Sequence, residues 1–97
     1  MTHVRVWQFD VPDAALARFE EAYGPQGDWA RLFATAPGFR RTELWREGNR
    51  FLTFDYWDRE QDFEAFQRAS GEAYRALDAE LEGLAGAEIF IGAFDRP

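Results

Sequence analysis

The alternation of apolar and polar residues is clearest in the second half of the chain. Residues Arg50–Trp57 divide between two faces with the period of two that is typical of a β-strand. Apolar residues then recur at helical spacing as far as Leu84, which predicts a long amphipathic helix. Asp58 and Gln61 are spaced as a capping box over its first turn. The other segments must pack against this strand and helix.

The rest of the chain adds three strands and two helices. They are predicted as a strand at Val4–Phe9, a helix at about Pro12–Tyr23 ended by a left-handed Gly24, a short helix at Trp29–Ala34 capped by Asp28, a strand at Phe39–Arg46 and a last strand at Ala87–Phe94. Glu47-Gly48-Asn49 predicts a hairpin, and Ser70-Gly71 an interruption of the long helix. The order β-α-α-β-β-α-β is the split βαβ arrangement of the ferredoxin-like fold. We expect one α+β domain over residues 1–97, with a four-stranded antiparallel sheet and helices on one face.

The predicted sheet has apolar residues on both faces. In the third strand, Leu52, Phe54 and Tyr56 lie on one face, and Phe51 and Trp57 lie on the other. A sheet that is solvated on one side shows one polar face, and this sheet shows none. We therefore expect a second copy of the chain to cover the open face, which makes the protein a homodimer.

The amino-acid composition argues against several classes of function. Aromatic residues form 18% of the chain, more than one sheet–helix interface readily uses, which favours a ligand cleft or a subunit interface. The net charge of −7 argues against binding to nucleic acids or anionic membranes. The absence of Cys excludes disulfides and thiolate metal sites. Without a signal-peptide pattern or a membrane-length apolar run, a cytoplasmic protein is expected.

Four stretches carry a recognisable family pattern. They are A-P-G-F at Ala36–Phe39, T-E-L-W-R at Thr42–Arg46, F-L-T-F-D-Y-W-D at Phe51–Asp58 and A-F at Ala65–Phe66. Together they resemble the antibiotic biosynthesis monooxygenase family, whose members are dimeric α+β barrel proteins, and the similarity extends over nearly the whole chain. The resemblance implies a homodimer whose two sheets face each other. It also implies a cleft in each subunit between the sheet and the helices.

The resemblance implies oxygenase chemistry. The family includes cofactor-independent oxygenases of aromatic polyketides and quinols, and haem-degrading oxygenases. The Asn, Trp and His of the haem-degrading site fall near Gln8, Phe66 and Ala76, so the axial histidine is missing and haem degradation is not expected.

Two functional hypotheses remain. The first is a cofactor-independent monooxygenase of an electron-rich aromatic, either a quinol or a polyketide-like phenol. The alternative is a non-catalytic dimeric module of the same fold, which binds a small apolar ligand or supports a partner. A cleft of roughly 300 Å³ or more would favour the enzyme, and a closed cleft would favour the module.

Asp55 and Gln8 are the candidate catalytic residues. Asp is disfavoured in the middle of a strand, so the Asp55 carboxylate is expected either to pair with Arg41 across the hairpin or to act as a general base. In the second case burial would raise its pKa. Gln8 is assigned to the face that the helices cover. Its amide could hold a substrate oxygen there or bond to neighbouring main chain.

Trp57, Phe66, Tyr74 and Thr53 are the candidate substrate-binding residues. Trp57 either stacks on a flat ligand or packs the turn between strand and helix. Tyr74 either directs its hydroxyl into the cleft or fills the core. Thr53 shares the face of Asp55. His3, the single histidine, is expected to be a solvated edge residue, and no cofactor or metal is predicted.

Overall fold

The computed structural model describes residues 1–97 and contains the predicted order of elements. The strands are β1 (His3–Asp10), β2 (Phe39–Glu47), β3 (Arg50–Trp57) and β4 (Ala87–Asp95), and the helices are α1 (Leu16–Tyr23, after a 3-10 turn at Asp13–Ala15), α2 (Asp28–Phe33) and α3 (Glu60–Glu80). The strands pair antiparallel in the order β2-β3-β1-β4. The ferredoxin-like α+β fold is therefore confirmed. No helix combines the length and hydropathy that a bilayer crossing needs.

The register between β1 and β3 decides which residues face the helices. Phe51 packs in the core against α1, and its cross-strand partner is Phe9. Gln8 is the neighbour of Phe9 and pairs with Leu52, so it lies on the opposite, open face. The assignment of Gln8 to the helix-covered face is therefore wrong. Because β1 is largely apolar on both sides, alternation alone does not reveal which side the helices cover.

Aromatic side chains fill the space between the sheet and the helices. One cluster lies under α2 and α3 and is built from Ala22, Trp29, Phe33, Trp57, Phe63, Phe66 and Leu81. A second lies under α1 and is built from Phe9, Val11, Phe19 and Phe51. Ring centroids of neighbouring aromatic side chains are 4.1 to 6.4 Å apart, and the Trp57 and Phe33 centroids are 5.6 Å apart in an edge-on contact. These rings fix the helices over the sheet.

The ends of the helices differ from expectation in three places. Asp58 does not cap α3, because its carboxylate binds the Arg40 guanidinium. Asp28 is the first residue of α2 and does not cap it. Gly24 has φ −75° and is extended, so the expected left-handed cap is absent. The predicted interruption of α3 is confirmed, since Ser70 has φ −123° and ψ 20°.

The open face of the sheet carries large apolar side chains without a helix over them. Trp45, Ile89 and Phe94 are 61%, 51% and 51% exposed. Their pairing with Leu52, Gln8 and Val4 places them on this face. The prediction that the sheet is apolar on both faces is confirmed.

Candidate functional site

A cleft of about 130 Å³ lies between the sheet and the helices. Its wall is mostly aromatic, with polar groups on the sheet and at the rim, and consists of Trp7, Phe9, Tyr23, Trp29, Phe33, Thr42, Thr53, Asp55, Tyr74, Asp78 and Glu88. The volume is below the roughly 300 Å³ expected of an enzyme site, yet the cleft is not closed. A cavity of about 150 Å³ in another protein binds benzene, so this space suits one aromatic ring.

Three of the six candidate residues line the cleft. Those in its wall are Asp55, Thr53 and Tyr74, and those outside it are Gln8, Trp57 and Phe66. Trp57 and Phe66 are 0% and 1% exposed and belong to the aromatic core beside the cleft. Gln8 lies on the far face of the sheet. Alternation along β3 correctly predicted that Asp55 and Thr53 lie on the same face. Trp57 shares this face, but it lies at the end of the strand, outside the cleft.

Asp55 is the central polar group of the cleft floor. The Thr42 hydroxyl donates a hydrogen bond of 2.6 Å to its Oδ1. The residue is partly buried in the cleft wall, and removal of its carboxyl from water raises the pKa from 3.8 to about 6. The Thr42 hydrogen bond and the positive charge of Arg5 act in the opposite direction and limit the rise. The carboxyl is therefore mostly ionised at pH 7 but is a stronger base than a surface carboxylate.

The expected ion pair between Arg41 and Asp55 is absent. The hairpin pairs Glu47 with Arg50, and regular pairing from there places Thr42 opposite Asp55; the irregularity in β2 lies beyond this pair, between Phe39 and Arg41. Arg41 lies on the open face, where its Nε donates to Glu43 at 3.1 Å. The hairpin turn therefore sets the partner of Asp55. Pairs counted back from the predicted turn would have placed Thr42, and not Arg41, opposite Asp55.

Arg5 is the charged neighbour of Asp55 that the sequence analysis missed. It pairs with Asp55 across β1 and β3. Its guanidinium lies 3.9 Å from the ring centroid of Phe63 and 4.9 Å from that of Phe90, and it takes part in no ion pair. The two rings therefore hold the Arg5 guanidinium near Asp55, but the guanidinium does not form an ion pair with the carboxylate. Correct pairing of β1 with β3 would have revealed it.

Trp29 is a second residue that the sequence analysis did not assign to the site. It is 8% exposed, it lines the cleft, and its Nε1 has no hydrogen-bond partner. The Trp29 indole lies near the Tyr23 hydroxyl. Burial raises the pKa of that hydroxyl, and the nearby indole N–H lowers it in part. The distance and angle between the two groups are nevertheless not those of a hydrogen bond. A buried donor without a partner is costly, and Trp29 is the one residue of the cleft wall that carries such a donor.

Tyr74 completes the aromatic wall from α3. Its ring centroid is 4.9 Å from that of Trp29, in a tilted contact. Burial raises the pKa of its hydroxyl above the ordinary value, and the negative charge of Asp78 adds to the rise. The hydroxyl is therefore neutral at physiological pH and can donate a hydrogen bond.

His3 is fully buried, so the expectation of a solvated edge residue is wrong. Its Nδ1 lies 2.8 Å from Oδ1 of Asp95, because β4 pairs with β1 at this end of the sheet. Ligand atoms of His3, Glu60 and Asp95 all lie within 4.8 Å of one another, which is the one grouping in the chain that could hold a metal ion. None of the three lines the cleft. The hydrogen bond between His3 and Asp95 already accounts for their proximity.

Comparison with known proteins gives structural matches only. No family model matches the chain, and no characterised protein matches it by sequence. SnoaB, a cofactor-independent oxygenase from Streptomyces nogalater solved in a mutant form, is 27% identical with a TM-score of 0.71, over 98% of this chain and 92% of that one. A protein from Nitrosomonas europaea assigned to the antibiotic biosynthesis monooxygenases is 13% identical with a TM-score of 0.71, over 98% and 89%. This chain has the antibiotic biosynthesis monooxygenase fold.

A third structural match is a monooxygenase that was solved with a bound ligand. The monooxygenase from the ActVA-Orf6 gene of Streptomyces coelicolor, solved with the ligand Nanaomycin D, is 19% identical with a TM-score of 0.72, over 98% of this chain and 87% of that one. The resemblance seen in the sequence is thus confirmed in the fold.

Removing the charge of Arg5 is expected to raise the pKa of Asp55 by about half a pH unit or more, because a nearby cation favours the carboxylate. Arg5→Met keeps an unbranched side chain between the two rings. The pKa is measured by carbon NMR titration of the Asp55 carboxyl. Arg41→Met, on the open face, is the matched control and should leave that pKa unchanged. An unchanged or lower value in Arg5→Met would contradict this electrostatic account.

Proposed function

We propose that this protein is a cofactor-independent monooxygenase of an electron-rich aromatic ring, either a hydroquinone or a ring of a polyketide-like phenol. The observation that carries the proposal is Asp55, a carboxyl with a pKa raised to about 6 in the floor of an aromatic cleft. The fold shared with SnoaB and the ActVA-Orf6 protein, which are described as oxygenases, supports the same class of chemistry.

In this proposal Asp55 removes the phenolic proton of the substrate. Phenols have a pKa near 10 in water, so a carboxylate can deprotonate one only if the site also stabilises the oxyanion. The unpartnered indole N–H of Trp29 is the donor best placed for that role, with the Tyr74 hydroxyl as a second donor in the same wall. Gln8 has no part in this step, because it lies on the other face of the sheet.

The substrate anion supplies the electrons for the reaction. The deprotonated ring passes one electron to O₂, and the two radicals combine to form a ring hydroperoxide. Loss of the proton from the same ring carbon breaks the O–O bond, so one oxygen atom stays on the ring and the other leaves as water. A hydroquinone then becomes a hydroxyquinone, and the substrate has provided all four electrons that O₂ accepts. The aromatic wall keeps bulk water from the reactive anion.

The proposal includes a homodimer built through the open sheet face. Trp45, Ile89 and Phe94 are each at least half exposed on this face, and a second sheet packed against it would remove them from water. Gln8 would then lie in the subunit interface, where its amide can bond to the partner chain.

One observation favours the second candidate function, a non-catalytic module that binds a small apolar ligand. The cleft volume of about 130 Å³ is small for an enzyme site. The module needs neither a base nor a donor, so it gives no role to the raised pKa of Asp55 or to the unpartnered Trp29.

Asp55→Asn is expected to reduce turnover by roughly a hundredfold or more, because the amide cannot accept the phenolic proton. Oxygen uptake and product formation are measured with a panel of hydroquinones and anthrones. In the wild type, activity should rise with pH through about 6, as Asp55 ionises. Asp10→Asn, at the exposed end of β1, is the control and should keep full activity. Full activity in Asp55→Asn, or no turnover of any compound by the wild type, would contradict the proposal.

The dimer is expected to depend on the open sheet face. Light scattering during gel filtration should give twice the chain mass for the wild type and a single-chain mass for Trp45→Glu, because a buried unpaired carboxylate opposes association. Ala69→Glu, on an exposed position of α3, should stay dimeric. A wild type that runs as one chain at micromolar concentration would refute the dimer.

A further inference from the structure

The Asp55 carboxyl has one hydrogen-bond partner in the protein, the Thr42 hydroxyl. The two residues lie opposite each other in the pairing of β2 with β3, and the hydroxyl donates to Oδ1 at 2.6 Å. Thr42 is 3% exposed, so little water competes for this bond. A threonine is stiff at χ1, which fixes the donor, whereas the terminal torsion of an aspartate is broad when nothing holds it. The bond therefore holds one carboxyl oxygen of Asp55 in place.

The second oxygen of the same carboxyl, Oδ2, remains available to a ligand. It accepts no hydrogen bond from the protein. The fully enclosed side-chain atoms that lack a partner are nitrogens of His3, Trp29 and Trp57, so Oδ2 is not enclosed and keeps contact with open space. Asp55 lines the cleft, which supplies that space. The two oxygens of one carboxyl therefore differ in what they can do.

We propose that Thr42 is the positioning residue of the base: it holds Oδ1 of Asp55 so that Oδ2 receives the phenolic proton of the substrate. The proposal rests on the proposed function, and it adds which oxygen reacts and what holds it. In this step the phenolic O–H bond breaks, an O–H bond forms at Oδ2, and the electron pair stays on the substrate oxygen. A proton on Oδ1 would compete with the Thr42 donor, whereas a proton on Oδ2 leaves that hydrogen bond intact.

Two other titratable groups face Asp55, namely Arg5 from β1 and Tyr74 from α3. Each interacts with the carboxyl through its charge, and neither forms a hydrogen bond with it. Removal of the Thr42 hydroxyl therefore changes the direct contact and leaves both of these groups in place.

Thr42→Val removes the hydroxyl and keeps the shape of the side chain. The pKa of Asp55, followed by carbon NMR titration, should rise by about one pH unit, because the hydrogen bond favours the ionised carboxyl. Thr42→Ser keeps the donor and should restore a value close to that of the wild type. Thr35→Val removes a hydroxyl hydrogen bond outside the cleft and should leave the pKa unchanged. An unchanged pKa in Thr42→Val would overturn the proposal.

Kinetics at about pH 8.5 separate positioning from basicity, because Asp55 is then ionised in every variant. The substrate is the hydroquinone that the wild type oxidises fastest. In Thr42→Val, kcat should fall roughly tenfold with KM little changed, since the base is present but no longer held. Thr42→Ala, which also lacks the hydroxyl, should behave in the same way, and Thr42→Ser should recover most of kcat. A wild-type kcat in Thr42→Val at this pH would overturn the positioning role even with a raised pKa.

The wild type separates this inference from the proposed function. Oxygen uptake by the wild type together with an undiminished kcat in Thr42→Val would leave the monooxygenase in place and overturn the role of Thr42 alone. No oxygen uptake by the wild type with any hydroquinone or anthrone would count against the monooxygenase, and the positioning role would fail with it.

Discussion

The burial of one carboxyl among aromatic rings is the constraint on which the site depends. Asp55 occupies the middle of a central strand, where an ionised group loses most of its water. The fold offers it one hydrogen bond, from Thr42, and a cation at longer range, Arg5. These contacts keep the group ionisable near neutral pH but do not restore the pKa of a surface aspartate. The raised pKa follows from this partial compensation.

The register of the β2–β3 hairpin explains why Asp55 is a base and not half of an ion pair. The turn pairs Glu47 with Arg50, and regular pairing from there places Thr42 opposite Asp55. A register shifted by one residue would place Arg41 opposite Asp55, and a directly paired guanidinium would lower the carboxyl pKa below its ordinary value. Arg41 lies instead on the open face, where it contacts Glu43 and the ring of Tyr56. Strand register thus sets the chemistry of the cleft.

Periodicity was sufficient to predict the strands, the helices and their order. Each element buries an apolar face, so apolar residues recur along the sequence with the period of a strand or a helix. It also placed Asp55 and Thr53 together. It failed for Gln8, since both sides of β1 are apolar, and for Arg41, since alternation within each strand does not fix the register between two strands. Trp29 was predicted only as the first residue of a short helix, because no local pattern shows that an indole N–H will lack a partner.

Burial makes the ionised form of Asp55 unfavourable in the folded protein. Its pKa is about 6 when folded, against 3.8 ordinarily, so the folded state binds more protons between these values and loses stability as pH rises through them. The most direct test compares the free energy of unfolding of Asp55→Asn with that of the wild type at pH 7 and below pH 4. The variant should be more stable at pH 7, by the order of 1–3 kcal/mol, and nearly equal at the lower pH. A variant that is less stable than the wild type at pH 7 would contradict the account.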